Sequence, residues 1–572
     1  MGQNIPPPPP DPQALLALAK TGGPKAALAA KRAAVLAERK DPALAREALA
    51  IAARLEPADP APKLALARLH AENGDLAAAR AEARAVFADS TDPRARARAA
   101  FMLGEMARVE GDMTTARDAY ATTLRIEDTL LASDRTDVTA ARWFARARGR
   151  LAELDARNGE FARARAGAEG ALALLRAAAA QIGETPVLAA DIADAEMRLG
   201  AMELDADQPA SATRRLREAI GRYEALAATE KTEPHWRAVL SDAWALMAEA
   251  ELAREEPQRA RAAMDKALQA RVRLAASHPQ EAWALAGAWR VRAALLEALQ
   301  DHATAADSLV QARAIVETLL RQTPDEEAPL RFWVHTLLDQ ADLALRCKDA
   351  AAAREAADTA RAACERFARK PGAHPAWFGD IGACWDRLGE VARLARAPAQ
   401  AQDGFARAVE FRRMARERAP DNVRFARGLA AALVKLGEAE LEASANASAR
   451  AAFHESVALR LDLVAAAPND ARAAHALAAA LERVGIAARA CGDVAAARGA
   501  WEDELALADR IFAHDDVDGL RFCAIVESHL AGLGGVDAEH YRVSALAKFD
   551  ELAKAGVMTT AEAELRKKLW GG

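Results

Sequence analysis

From Pro12 onward, hydrophobic positions recur at three- and four-residue intervals, the spacing of one helical face. Residues 420–468 show the pattern in detail. Pro420, Asp421 and Asn422 break the chain and offer helix caps. Phe425, Leu429, Leu433, Leu436 and Leu441 then fall roughly on one face. Ser444 to Asn446 read as a turn, and Phe453, Val457, Leu459, Leu461 and Val464 mark a second helix ending before Pro468. Each predicted helix has about 20 residues, or about 30 Å at 1.5 Å per residue.

This unit recurs. Alanine stands at 45, 79, 116, 164, 212, 260, 305, 353, 401, 449 and 497, and twelve residues earlier stands Ala33, Ala67, Gly104, Ala152, Gly200, Ala248, Ala293, Ala341, Gly389, Gly437 or Gly485. Two small columns in lockstep make an internal repeat. The spacing runs 34, then 37, then 48 with one lapse to 45. A third column, four residues after the alanines, is usually large: Leu49, Tyr120, Leu216, Met264, Leu309, Phe405, Phe453 and Trp501. The small columns are expected to face each other where the two helices of a hairpin approach. The large column is expected to fill the groove to the next unit. Gly74-Asp75, Gly111-Asp112, Gly159-Glu160 and Gly492-Asp493 suggest a left-handed glycine ending the first helix and an acid capping the second.

Trp385, Leu388 and Gly389, followed by Ala401, Phe405 and Ala408, resemble the tetratricopeptide repeat. Trp244 and Trp289 take the same first position in their units. Ala45, Leu49, Ala52 and Pro57 match the second helix of a 34-residue unit. The resemblance covers nearly the whole chain. It implies an all-α, right-handed α-solenoid of stacked antiparallel hairpins, in a long-helix variant common in bacterial arrays. The expected organisation is a proline-rich tail at 1–11, short units at 12–93, a long-helix array at 94–515, and a degenerate last unit with a closing helix at 516–572. Leu533 falls in the small column of that last unit, and Thr559-Thr560-Ala561-Glu562 begins the closing helix with a capping box.

Composition alters this picture little. Ala, Leu, Arg and Glu dominate the 572 residues, and all are strong helix formers. A net charge of -6 argues against a nucleic-acid partner. The arginines are interspersed with acids and read as solvated helix faces. Five cysteines without CxxC spacing suit neither a disulfide framework nor a zinc site, and fit a reducing, cytoplasmic setting. No secretory signal or membrane span is expected. Pro6 to Pro10 read as a polyproline leader.

Candidate chemistry is sparse. Phosphate loop, HExxH, GxSxG and dinucleotide fingerprints are lacking, so no cofactor or metal is expected. His514 to Gly519 fits the middle of a calcium loop, but Ile525 stands where a bidentate Glu is needed, which leaves a helix cap. The terminal Gly571-Gly572 reads as the frayed end of a helix.

The most suggestive set is acidic. The residue after the first small column is Glu105, Glu153, Glu249, Asp342, Glu390 and Glu438. The resemblance implies that this position looks onto a concave groove, where a carboxylate ladder would draw a basic peptide or helix. The competing reading is local pairing, Arg387 with Glu390 and Lys435 with Glu438, three residues apart. Trp236, Trp377 and Phe425, near the starts of first helices, complete the candidate groove; the competing reading for them is packing between units. The family's Lys and Asn clamp for an acidic peptide end is not matched. The expected function is a non-catalytic scaffold for a protein or peptide partner. The alternatives are a regulatory subunit of a separately encoded effector enzyme and an α/α-toroid enzyme.

Overall fold

The structure, a computed structural model, describes residues 11–38, 41–157, 160–206, 208–229, 234–278, 281–324, 326–467, 470–512 and 516–570. Pro6 to Pro10, Gly159, His514, Asp515 and the terminal glycines lie outside them. The described residues form helices joined by turns, with no strand among them. Contacts divide the chain into two compact units, Met1–Glu256 and Pro257–Gly572.

Within each unit, helices adjacent in sequence pair into hairpins, and each second helix packs on the next first helix. The helices up to Asp89 are 9 to 14 residues long. Pro93–Glu110 has 18 residues. From there to Ala490 the helices span 17 to 22, as in Phe161–Ile182 and Ala282–Ala298. These paired, repeated hairpins have the organisation of the tetratricopeptide type. Among the described residues, no helix is long and apolar enough to cross a membrane.

One turn geometry recurs. Two residues before the second helix, the backbone takes a left-handed φ, at Gly74 (81°), Gly111 (87°) and Gly492 (78°). Glu255, Gln300, Lys348, Arg396 and Ser444 hold the same place with φ between 56° and 62°, where a Cβ is costly. The following acid caps the helix: Asp75, Asp112, Asp349 and Asp493 each accept a backbone N–H at 3.0 Å. In the 420–468 unit the cap position is Ala445, without a side-chain bond, and Asn446 already begins the second helix.

The small columns meet, as in the clusters that join Ala33 with Ala45, Ala67 with Ala79, Ala152 with Ala164 and Ala293 with Ala305, and the glycines have a second role. A Cβ placed on Gly437 would lie 2.6 Å from the Phe453 ring, and on Gly389, 2.7 Å from Phe405. Gly104 sits against Tyr120 in the same way, Gly200 against Leu216, and Gly485 against Trp501. The first-helix residue therefore admits the large side chain sixteen positions later. The column alanines also pack three residues further along, Ala401 with Ala392, Ala116 with Ala107, and Ala497 with Ala488. The large residues also reach the next first helix: Tyr120 clusters with Leu154, Phe405 with Ala439, and Trp501 with Val526 and Leu530.

The repeat degenerates after Leu505. The second helix Val494–Leu505 stops after 12 residues and a four-residue helix, Ala508–Ile511, follows. Asp516 caps Val517–Ala531 by accepting the Asp518 N–H at 3.0 Å. Leu533 falls beyond that helix, so it does not hold the first-helix position expected of it; Ala524 clusters with Ala545 and Phe549 instead. Thr560–Trp570 closes the end with a reciprocal capping box. Thr559 Oγ1 accepts the Glu562 N–H at 3.3 Å, and Glu562 Oε2 accepts the Thr559 N–H at 2.7 Å.

Candidate partner-binding face

First helices carry the acidic column, and the residue 45 positions after an acid is usually a base on the next first helix. That places the two on neighbouring rods rather than on one helix turn. Arg150 Nε lies 2.7 Å from Glu105, and Arg198 Nε 2.8 Å from Glu153. Arg387 grips Asp342 with two nitrogens, at 3.0 and 2.6 Å. Lys435 Nζ lies 3.1 Å from Glu390, and Arg483 Nε 3.1 Å from Glu438. Five of the six acids are thus held by a base of the next unit. The base column was missed in the sequence reading, although its spacing of 45 was visible there.

Glu105 shows the electrostatic result. Burial pushes its carboxyl up, but Arg150, the Tyr120 hydroxyl donating at 2.6 Å, and Arg108 outweigh that and hold it below the usual range. Burial and Glu105 together push the Tyr120 phenol up. A second set of rungs runs near the helix starts with the opposite sense: Arg142 and Arg146 donate to the buried Asp191, and Arg331 to the buried Asp380 at 2.8 Å.

Glu249 differs from the other acids. Its side chain reaches solvent, but the protein packed around its carboxyl, together with Asp205, pushes the carboxyl up. The three aromatics differ as well. Trp236 is half-buried beside His235. Phe425 is half-buried and lies 3.5 Å from where a Cβ on Gly379 would stand. Trp377 is fully buried, with the Phe367 ring centroid at 5.1 Å, in a core shared with Leu337, Ile381 and Cys384. It packs units together and cannot meet a ligand, which corrects its reading as an exposed groove aromatic.

The acid and base positions also hold Ala201 with Leu246, Glu249 with Ala294, and Ile486 with Ala531, and a further place without the usual rung lies between the first helices Ala282–Ala298 and Glu327–Arg346. The acid position holds Ala294 and the base position holds Asp339. Arg290, on the earlier helix, donates to Asp339 at 2.7 Å and lies over the Phe332 ring. With small side chains where other junctions carry long ones, a cavity of about 560 Å³ opens here. Val291, Ala293, Ala305, Leu309 and Leu343 give it apolar walls, and Arg290, Glu297, Asp339, Asp342 and Arg346 ring it with charge.

No family model and no curated protein matches the chain. Among solved structures, the chain is similar to yeast Tom70, at 14% identity over 88% of this chain and 96% of that one, with a TM-score of 0.41. It is similar to apo RapI at 11% identity, 71% and 97% coverage, and a TM-score of 0.39. A structure titled human IFIT1 dimer with PPP-AAAA matches at 13% identity, 87% and 95% coverage, and a TM-score of 0.35. At these scores the likeness reaches no further than helical architecture.

Proposed function

We propose that the protein is a non-catalytic scaffold that holds an extended segment or helix of a partner protein along its row of first helices. The observation that carries this reading is the cavity at 282–346. The next three junctions are bridged by Asp342–Arg387, Glu390–Lys435 and Glu438–Arg483, whereas this one, crossed by Arg290–Asp339 and Arg346–Glu297, keeps a recess. An open, mixed apolar and charged recess among rigid helices is the kind of place where a partner side chain anchors.

The acids paired at other junctions have their charge consumed internally, so a basic partner gains little from them. Glu249, exposed on its first helix, remains an acid that such a partner could use.

The test is site-specific photo-crosslinking in the native cell, with the cross-linker at Val291 or at Val310. Val291 is 41% exposed on the first helix; Val310 is 54% exposed on the second helix, His302–Gln322. Capture of one protein from Val291 alone, with the cross-link mapped to a single short segment, supports the reading. Equal capture from both positions, or capture from Val310 alone, contradicts it.

A further inference from the structure

The cavity between Ala282–Ala298 and Glu327–Arg346 contains a carboxylate that its surroundings do not satisfy. Arg290 is committed to Asp339, 2.6 Å from its Nη2. Asp342 is committed to Arg387. Among the described residues, Glu297 has only Arg346 as an ion-pair partner, whose Nε lies 3.4 Å away and whose side chain is 59% exposed. Glu297 Oε1 is buried and accepts no hydrogen bond. An exposed arginine at that distance offers a weak, screened contact.

The field around Glu297 favours an added cation. Burial pushes its carboxyl up, Arg346 opposes this, and Asp342 and Asp339 push it up further, with His302 opposing weakly. Burial likewise raises Asp339, against Arg290 and with Asp342. A positive group entering the cavity would oppose both shifts and give Glu297 Oε1 the donor it lacks.

The shape suits one kind of cation. The apolar walls match the methylene stem of a long basic side chain, with the charged end among the carboxylates. At the three junctions that follow, the array supplies such a side chain itself: Arg387, Lys435 and Arg483 project from the next first helix. Here the corresponding residue is Asp339, and the bases that line the cavity, Arg290 and Arg346, come from other positions. We propose that this cavity is a socket for one arginine side chain of the partner segment, with Glu297 as its principal acceptor. The inference rests on the scaffold reading and names the chemistry of the occupant.

The experiment is saturation-transfer NMR on the full-length protein with Nα-acetyl-arginine N-methylamide as the probe. The uncharged citrulline analogue and the lysine analogue serve as comparators. Saturation is expected on the arginine methylenes, more weakly with lysine, and not with citrulline. Glu297→Gln is expected to weaken binding at least fivefold. Ala294→Arg, which places a guanidinium three residues before Glu297 on the same face, is expected to fill the socket and abolish binding. Circular dichroism and melting of both variants establish that they fold. Equal saturation with arginine and citrulline, or binding unchanged in Ala294→Arg, overturns the proposal. Absence of arginine binding alongside capture from Val291 sinks the socket and leaves the scaffold; arginine binding with capture only from Val310 does the reverse.

Discussion

Two hairpins of the second unit solve the same packing problem in opposite ways. In Val423–Glu442 with Asn446–Ala466, Gly437 leaves room and Phe453 fills it from within the hairpin. In Glu327–Arg346 with Ala350–Ala368, the equivalent residues are Ala341 and Ala357, and Leu388 from the next first helix fills the gap, with Trp385 beside it. The first unit repeats the contrast. Gly104 receives Tyr120, whereas the Ala67 and Ala83 pair is filled by Met106 of the following helix. What changes between them is which unit provides the filling side chain. A self-filled hairpin carries its own core, while an alanine pair borrows one from its neighbour.

The largest expected effects come from disturbing how a layer is filled. Gly485→Ala, against the Trp501 indole, should cost about 1–3 kcal/mol in urea unfolding. Leu388→Ala should cost about 2–4 kcal/mol by removing the borrowed core of the alanine hairpin. If Gly485→Ala unfolds at the same urea concentration as the parent, the contrast between the two hairpin types fails.

Next is the self-filled hairpin that contains Glu504. Burial, with Glu482 adding and Arg483 opposing, pushes this carboxyl up to about 9. The native state therefore holds a proton that the unfolded chain, with an ordinary pKa of about 4.3, releases. The contribution is fully present below pH ~4 and is lost as pH rises towards the folded value. Urea melts at pH 5, 7 and 9 should show falling stability with pH, and Glu504→Gln should flatten that slope. An unchanged slope would place the proton elsewhere.

Gln300, Lys348, Arg396 and Ser444 should each gain about 1 kcal/mol on change to glycine, because the left-handed turn strains a Cβ. The same change at Ala445, which does not have a left-handed φ, should give no gain, whereas Ala445→Asp should add about 1 kcal/mol by supplying the cap. Thermal melts of the single variants check this.

The smallest effect is expected in the rungs. Lys435→Met removes a half-exposed partner of Glu390 and should cost under about 1 kcal/mol, with the difference vanishing in 0.5 M salt.

Much of this was legible in the sequence. The two small columns gave the hairpins, and the Thr559 to Glu562 pattern gave the closing cap. Spacing alone did not say which neighbour a residue meets. The column alanines were assigned to the first small column, but the large residue that also presses on the glycines, as Phe405 does on Gly389, was assigned only to the next unit. Lys435 was read against Glu438 on its own helix turn; it reaches back to Glu390, because the stacked rods bring that carboxylate to 3.1 Å. Trp377 stands where an exposed aromatic was expected, but the second helix Ala350–Ala368 covers it through Phe367 and Cys364. Leu533 was placed by counting 48; Ala545 and Phe549 keep that period in the last second helix, but the first helix ends at Ala531, short of Leu533. The cavity left no mark in the periodicity except the single spacing of 45 and the Asp at 339.

The most direct test is a double-mutant cycle on Gly437→Ala and Phe453→Ala, read by urea unfolding. If the glycine exists to admit the ring, the two changes are strongly coupled: Gly437→Ala is destabilising with Phe453 present and close to neutral once the ring is gone, a coupling of about 1 kcal/mol or more. Strictly additive costs would show that position 437 does not answer to position 453, and the layer-by-layer account of this fold would be wrong.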